Sequence, residues 1–155
     1  MQAIPRTLVA RALFVPEDGL PEGDLPITRF AEQYADFLAF YGERKDDDPD
    51  VWLYDVMEQL IQDMPTLALA AIRATLAVCE TPGQVANLAA GPLETLLAEH
   101  GPTVIGPLAE EADARMLYAL TGVWRNSIPS MVWARIESLR REVPGIDDEA
   151  PLPPA

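Results

Sequence analysis

The chain has one cysteine and one histidine, and its basic residues are outnumbered more than two to one. A lone thiol, Cys79, excludes an intramolecular disulfide framework and a multi-cysteine zinc site. It lies inside an apolar run, so it reads as a small buried hydrophobe rather than a nucleophile. Eleven basic residues stand against 25 acidic ones, giving a formal net charge of −14. Such a field repels nucleic acid and anionic lipid and favours cationic partners. Arg135, Arg140 and Arg141 on the last predicted helix are too few to make a nucleic-acid stripe. Long apolar runs are missing as well: the longest, Pro65 to Cys79, contains Arg73 and is too short to cross a bilayer. Near the N-terminus, Arg6 precedes an apolar stretch, but Arg11 interrupts it and an acidic, proline-rich segment follows, unlike a secretory signal. The expected compartment is the cytoplasm.

Catalytic signatures are scarce too. The sequence contains no glycine-rich phosphate loop, no GxSxG, no HExxH and no paired cysteines. Neither a cofactor nor a metal is implied, and the balance is against an enzyme. The route left to catalysis is a pair of carboxylates brought together from different helices.

What is present is a hydrophobic content of 49%, enough for a core, and 15 prolines that punctuate it. Residues 1–26 read as an N-terminal arm followed by an acidic Pro/Gly loop. Residues 27–143 read as a helical domain, and 144–155 as a mobile acidic, proline-rich tail. The first fifteen residues fit either a short helix or an extended arm. Ile27, Phe30, Ala31, Tyr34, Phe37, Leu38 and Tyr41 share one helical face. A second helix begins after Asp50, read as its N-cap, and turns Leu53, Val56, Met57, Leu60 and Ile61 inward. The third, about 64–80, is apolar almost all round and should be the central element. Thr81-Pro82-Gly83-Gln84 predicts a capping box opening a short fourth helix. Gly91-Pro92 should break the chain and open a fifth helix, with His100 at its end and Gly101 as a left-handed cap. A sixth is expected over about 103–112, a seventh capped by Asp113, and a last one after Ser127-Ile128-Pro129. No alternating run argues for a sheet. The predicted class is all-α, an irregular bundle or small solenoid-like stack of seven to eight short helices.

Two stretches invite a site. Glu94 and His100 lie six residues apart, which separates them by roughly 240° around a helix axis. They cannot converge on one ligand from that helix. Glu94 complements a helix start and His100 a helix end, which leaves them weak catalytic candidates. Asp46, Asp48 and Asp50 have the spacing of a calcium loop, but that loop needs glycine at position 51 and glutamate at 57, where Val51 and Met57 stand. A solvated acidic link is the better reading. Trp52 and Tyr54 straddle the apolar face of the second helix. With Asp47, Asp48, Asp55 and Glu58 they outline an acidic patch with an aromatic centre, a dock for an Arg/Lys-rich surface.

The segments "LAAGPLETLLAEHG" (88–101) and "YALTGVWRNSIPSMVWARI" (118–136) resemble an uncharacterised family of small bacterial helical proteins, a domain of unknown function. Gly91, Pro92, Leu93, Glu94, Leu96, Leu97, His100 and Gly101 carry the first likeness, and Gly122, Val123 and Trp124 the second. The resemblance implies a helical fold and no known activity; if Glu94 and His100 mark more than helix ends, each would act with groups from other helices. On these grounds the expected role is an acidic protein–protein interaction domain for a basic partner, with the physical profile of immunity proteins, antitoxins and inhibitors. The alternatives are a small-ligand binder or enzyme using Glu94 and His100, and a regulatory or structural helical domain.

Overall fold

The computed structural model describes residues 2–43 and 47–155. Two short strands, β1 (Ala3–Ile4) and β2 (Leu25–Pro26), pair antiparallel with Ile4 opposite Leu25. This two-residue ladder is too short to show as alternation in the sequence. Between the strands, α1 (Arg6–Leu13) turns Leu8, Val9, Ala10 and Ala12 into the core, so the N-terminal segment is both extended arm and helix. It ends on Phe14 in the left-handed conformation (φ 54°), whose N–H bonds back to the last carbonyls.

The rest is an all-α bundle: α2 (Ile27–Ala39), α3 (Trp52–Asp63), α4 (Pro65–Val78), α5 (Pro82–Leu88), α6 (Glu94–Glu110), α7 (Ala114–Leu120) and α8 (Ser130–Arg140). As predicted, α4 is the hub. It packs most extensively on α2 and also touches α3, α5, α6 and α7. Ala68, Ala71 and Ile72 are wholly buried. Small residues on α4 let its neighbours approach closely, and an Ile such as Ile72 gains about 1.5–3 kcal/mol from leaving water. The capping box is present: Thr81 Oγ1 accepts from Gln84 N–H, and Gln84 Oε1 accepts from Thr81 N–H. Gln84 is itself buried, and its Nε2 donates to Ala35 O, stitching the start of α5 to α2. Asp113 caps α7 through Met116 N–H.

Several boundaries differ from the sequence reading. Asp50 does not occupy the cap position of α3; that is Val51, and Asp50 supplies a carbonyl to Leu53 N–H one residue earlier. Gly91-Pro92 does not break the chain. It forms one π-helical turn (Ala89–Leu93) running straight into α6, because a wider turn absorbs the N–H that Pro92 lacks. His100 does end a helix, the first of two that meet at a kink within α6. The chain bends at His100 (φ −133°, ψ 21°), where Pro102 offers no N–H to Ala98 O, and then continues to Glu110. Gly101 is not left-handed. Its value is space: a Cβ there would lie 2.9 Å from Val132 Cγ2 on α8. Gly122 is similar, since its Cβ would fall 3.1 Å from that of Ala89 in the π turn and 2.8 Å from Ile146 Cδ1.

Arginines close the remaining ends. Arg115 Nη1 donates to Leu76 O and Cys79 O at the end of α4, while its Nε and Nη2 hold Pro153 O. The segment expected to be a mobile tail is thus fastened at Pro153, with Ile146 and Leu152 packed against the core. Arg140 Nη1 donates to Leu120 O and Val123 O after α7 and stacks over Trp133, 4.6 Å from its ring centre. Burial pushes the Cys79 thiol up to about 11, against the opposing pull of Arg115, consistent with an inert packed thiol. No helix among the described residues is long and apolar enough to cross a membrane.

Replacing Gly101 by alanine should lower stability by about 1–3 kcal/mol through overpacking against Val132. Chemical denaturation of Gly101→Ala alone and with Val132→Ala tests this. The second change should recover part of the loss, and simple additivity would show that the glycine serves another purpose.

Candidate functional site

The predicted partner-binding residues divide between two sides of α3. Positions 52 and 54 are roughly 200° apart on a helix, so their side chains leave in opposite directions. Trp52 is half-buried and meets Phe30 edge-on, 6.5 Å between ring centres; it walls a cavity between α1 and α2. Asp47 is exposed and Asp48 half-buried in the link before α3, and Asp48 Oδ1 accepts from Asp50 N–H. Asp46, the first aspartate of the rejected calcium spacing, lies outside the described residues.

Tyr54, Asp55 and Glu58 do share a face, and the fold adds residues that the sequence did not mark. An aromatic ladder climbs from the core along α2: Phe30 stacks on Tyr34 at 5.4 Å and Tyr34 on Phe37 at 5.9 Å. Tyr41 meets Phe37 edge-on at 5.7 Å, and Tyr54 lies beyond it, tilted by 31° with ring centres 6.5 Å apart. The last two rungs are open to solvent, with Tyr41 44% and Tyr54 38% exposed. Tyr41 was visible in the sequence as the end of the α2 stripe, but its position against Tyr54 depends on how α2 and α3 pack.

Glu58 lies one turn beyond Tyr54, and α6 brings Glu99 towards it. The Glu58 carboxyl is held above its ordinary range first by burial, then by the charges of Glu99 and Asp55. The Tyr54 hydroxyl is also pushed up, chiefly by Glu58. Burial raises the Tyr34 hydroxyl most, with Tyr41 and Glu58 adding to it. Glu99 accepts from Gln62 Nε2 at 2.6 Å, a neutral donor that leaves its charge in place. The face therefore carries Asp55 and Glu58 beside two exposed phenol rings, with Glu99 acting on Glu58.

Glu94 and His100 do not join into a site. The Glu94 carboxylate accepts from Trp124 N–H at 3.2 Å and from Asn126 Nδ2. It pins the loop after α7, where Asn126 is left-handed (φ 38°) and Trp124 is 72% exposed. Glu94 thus acts with groups from another part of the chain rather than with the dipole of a free helix start. His100 stays at the bend of α6, half-buried. The two segments that carried the family resemblance meet at three places: Glu94 with Trp124 and Asn126, the π turn with Gly122, and Gly101 with Val132. Among the described residues no group of three or more His, Cys, Asp or Glu side chains is placed to hold a metal.

A family described only as being of unknown function (DUF6869) matches residues 41–143. The chain belongs to this family. It matches no curated protein and no solved structure. The matched region takes in Tyr41, Tyr54, Glu58, the π turn, Glu94, Glu99 and the loop at Trp124, and leaves out α1 and α2.

Because the Glu58 carboxyl is raised in the fold, folding favours its protonated form. The contribution is full at pH below the unfolded value, near 4.5, and is lost as pH rises through the higher folded value. Glu58→Gln should therefore be more stable than the parent chain at pH 7, with the gap closing as pH falls below 4.5. Melting curves across pH 3–8 would show it; a glutamine variant less stable at neutral pH would mean that Glu58 makes a favourable ionic contact.

Proposed function

We propose that this chain is an acidic protein-interaction domain whose α3–α6 face, with Tyr41 and Tyr54 at its centre and Asp55, Glu58 and Glu99 around them, docks a basic protein partner. The observation that carries the reading is the pair of exposed tyrosines, 6.5 Å apart, on the face that bears Asp55 and Glu58, with Glu99 close enough to Glu58 to raise its carboxyl. Like charges held together raise the free energy of the isolated protein, and a guanidinium or ammonium entering the face relieves it. Tyrosine rings add cation–π attraction and anchor interfaces at low entropic cost. The rest of the molecule supports the same partner class. At a net charge of −14 it draws a cationic surface in from a distance and repels nucleic acid and anionic membranes.

The ion pairs that join two described residues, Arg11 with Asp63 and Arg73 with Glu111, both lie outside the Tyr41–Glu58–Glu99 face. The setting that fits is the cytoplasm of a bacterium, and the role that of an immunity protein, antitoxin or inhibitor neutralising a basic protein. The alternative of catalysis through Glu94 and His100 draws no support from a carboxylate already engaged by main chain and amide.

Basic proteins retained by the immobilised chain from extracts of its own host supply the test. Affinity for such a partner should fall steeply with salt, since surface attraction is screened over about 8–10 Å at physiological ionic strength. Changing Asp55, Glu58 and Glu99 together to lysine should weaken binding by about tenfold or more while circular dichroism stays unchanged. Equal binding by the reversed variant, or an affinity indifferent to salt, would overturn the proposal.

A further inference from the structure

The loop after α7 carries the most exposed tryptophan of the chain and is held in place from three sides. The Glu94 carboxylate of α6 accepts from Trp124 N–H and Asn126 Nδ2, and Arg140 of α8 donates to Val123 O. Arg125 Nη2 donates to Ser130 Oγ at 2.8 Å, tying the loop to the start of α8. Asn126 takes the left-handed conformation (φ 38°), and Gly122 leaves no room for a Cβ against Ala89 and Ile146. None of these contacts covers the Trp124 ring, which is 72% exposed. A loop fastened this firmly with its indole in water displays the ring rather than burying it.

The start of α8 continues this surface. Val132 and Ile136 are buried, whereas Met131 is 88% exposed and the exposed Arg135, one turn on, shares its face. Tryptophan, methionine and arginine are enriched at protein interfaces, where Asp, Glu and Lys are depleted. The local charge also runs against that of the molecule. In a chain with 25 acidic residues, the segment from Ala114 to Ile136 has no Asp or Glu and carries Arg115, Arg125 and Arg135. Arg115 is buried and bonded to carbonyls. Arg125 donates to a neutral hydroxyl, and Arg135 has no hydrogen bond or ion pair to another described residue. The carboxylate that reaches the loop is Glu94, and both its oxygens already hold donors of that loop. Glu137 leaves α8 roughly 200° round the axis from Arg135. Two exposed arginines thus stand against one engaged carboxylate.

We propose that the Trp124–Met131 surface docks an acidic protein segment, with an apolar side chain against the indole and the thioether and carboxylates at Arg125 and Arg135. A guanidinium can hold a carboxylate with two parallel hydrogen bonds. The surface includes none of Tyr54, Glu58 and Glu99, so it stands or falls independently of the basic partner.

End-capped peptides EELFEELL, NNLFNNLL and KKLFKKLL, titrated into the full chain while tryptophan emission is followed, test it. Trp52 and Trp133 are already half-buried, so covering Trp124 should move the emission to the blue. The acidic peptide should give a saturable shift that Trp124→Phe removes. The neutral peptide should bind at least about tenfold more weakly, through loss of the charge-assisted contacts. The lysine peptide should leave the Trp124 signal unchanged, whatever it does at the acidic face. Arg135→Glu, which breaks no bond to another described residue, should weaken the acidic peptide by about tenfold, and Arg135→Lys should keep part of the affinity. No saturable shift with the acidic peptide, equal binding of the neutral one, or binding untouched by Arg135→Glu would overturn the proposal. So would self-association of the parent chain, seen by sedimentation and lost in Trp124→Ala, since the surface would then belong to a second copy.

Discussion

The constraint from which the rest follows is the use of arginine on main-chain carbonyls. Every helix leaves carbonyl groups unpaired at its C-terminal end, and in a bundle of short helices those ends are many. Arg115 closes the end of α4 and holds Pro153, Arg140 closes the end of α7, and Arg73 reaches Pro107 O within α6. A guanidinium suits this work, because its planar fork reaches several acceptors at once and it stays charged when half-buried. The bundle gains anchored ends. Arg115 and Arg140 spend their charge on carbonyls rather than on carboxylates.

The α3–α6 face has a different character. A carboxylate in a neutral domain normally lies within reach of a lysine or arginine. Here Glu58 is raised first by burial and then by the charges of Glu99 and Asp55, and Glu99 accepts from the neutral Gln62 amide. The aromatic ladder from Phe30 to Tyr54 brings two phenol rings to the same place, continuous with the core at one end and wet at the other. The proposed docking of a cation would rest on this aromatic base and its acidic rim. The interior is otherwise conventional, and α4 supplies the small residues that let five helices pack around it.

Elements whose cause is local could be read in the sequence. The stripes of α2 and α3, the all-round apolarity of α4, the Thr81–Gln84 box and the Asp113 cap each depend on residues within a few positions of one another. Features with distant causes could not. Gly101 looks like a left-handed cap until Val132 is known to press on it, and Gly91-Pro92 looks like a break until the π turn is seen against Gly122. Glu94 reads as a helix-start carboxylate because nothing local reveals the Trp124 loop thirty residues on. In the same way, the patch around Tyr54 was half legible. Tyr54, Asp55 and Glu58 are neighbours on one helix, whereas Tyr41 and Glu99 reach them only through packing, and Trp52 leaves on the other side.

The central claim is that Glu58 is held protonated to higher pH by burial and by the charges of Glu99 and Asp55, and the ionisation of these carboxylates reports on this directly. Carbon-detected NMR titration of the glutamate side-chain carboxyls at low salt, assigned through Glu58→Gln and Glu99→Gln, measures it site by site. The account predicts that Glu58 titrates above the ordinary glutamate range, and that removing the Glu99 charge or adding salt brings it down. A Glu58 carboxyl titrating at or below that range, and indifferent to Glu99, would mean that a cation of the chain already neutralises this face, and the account would be wrong.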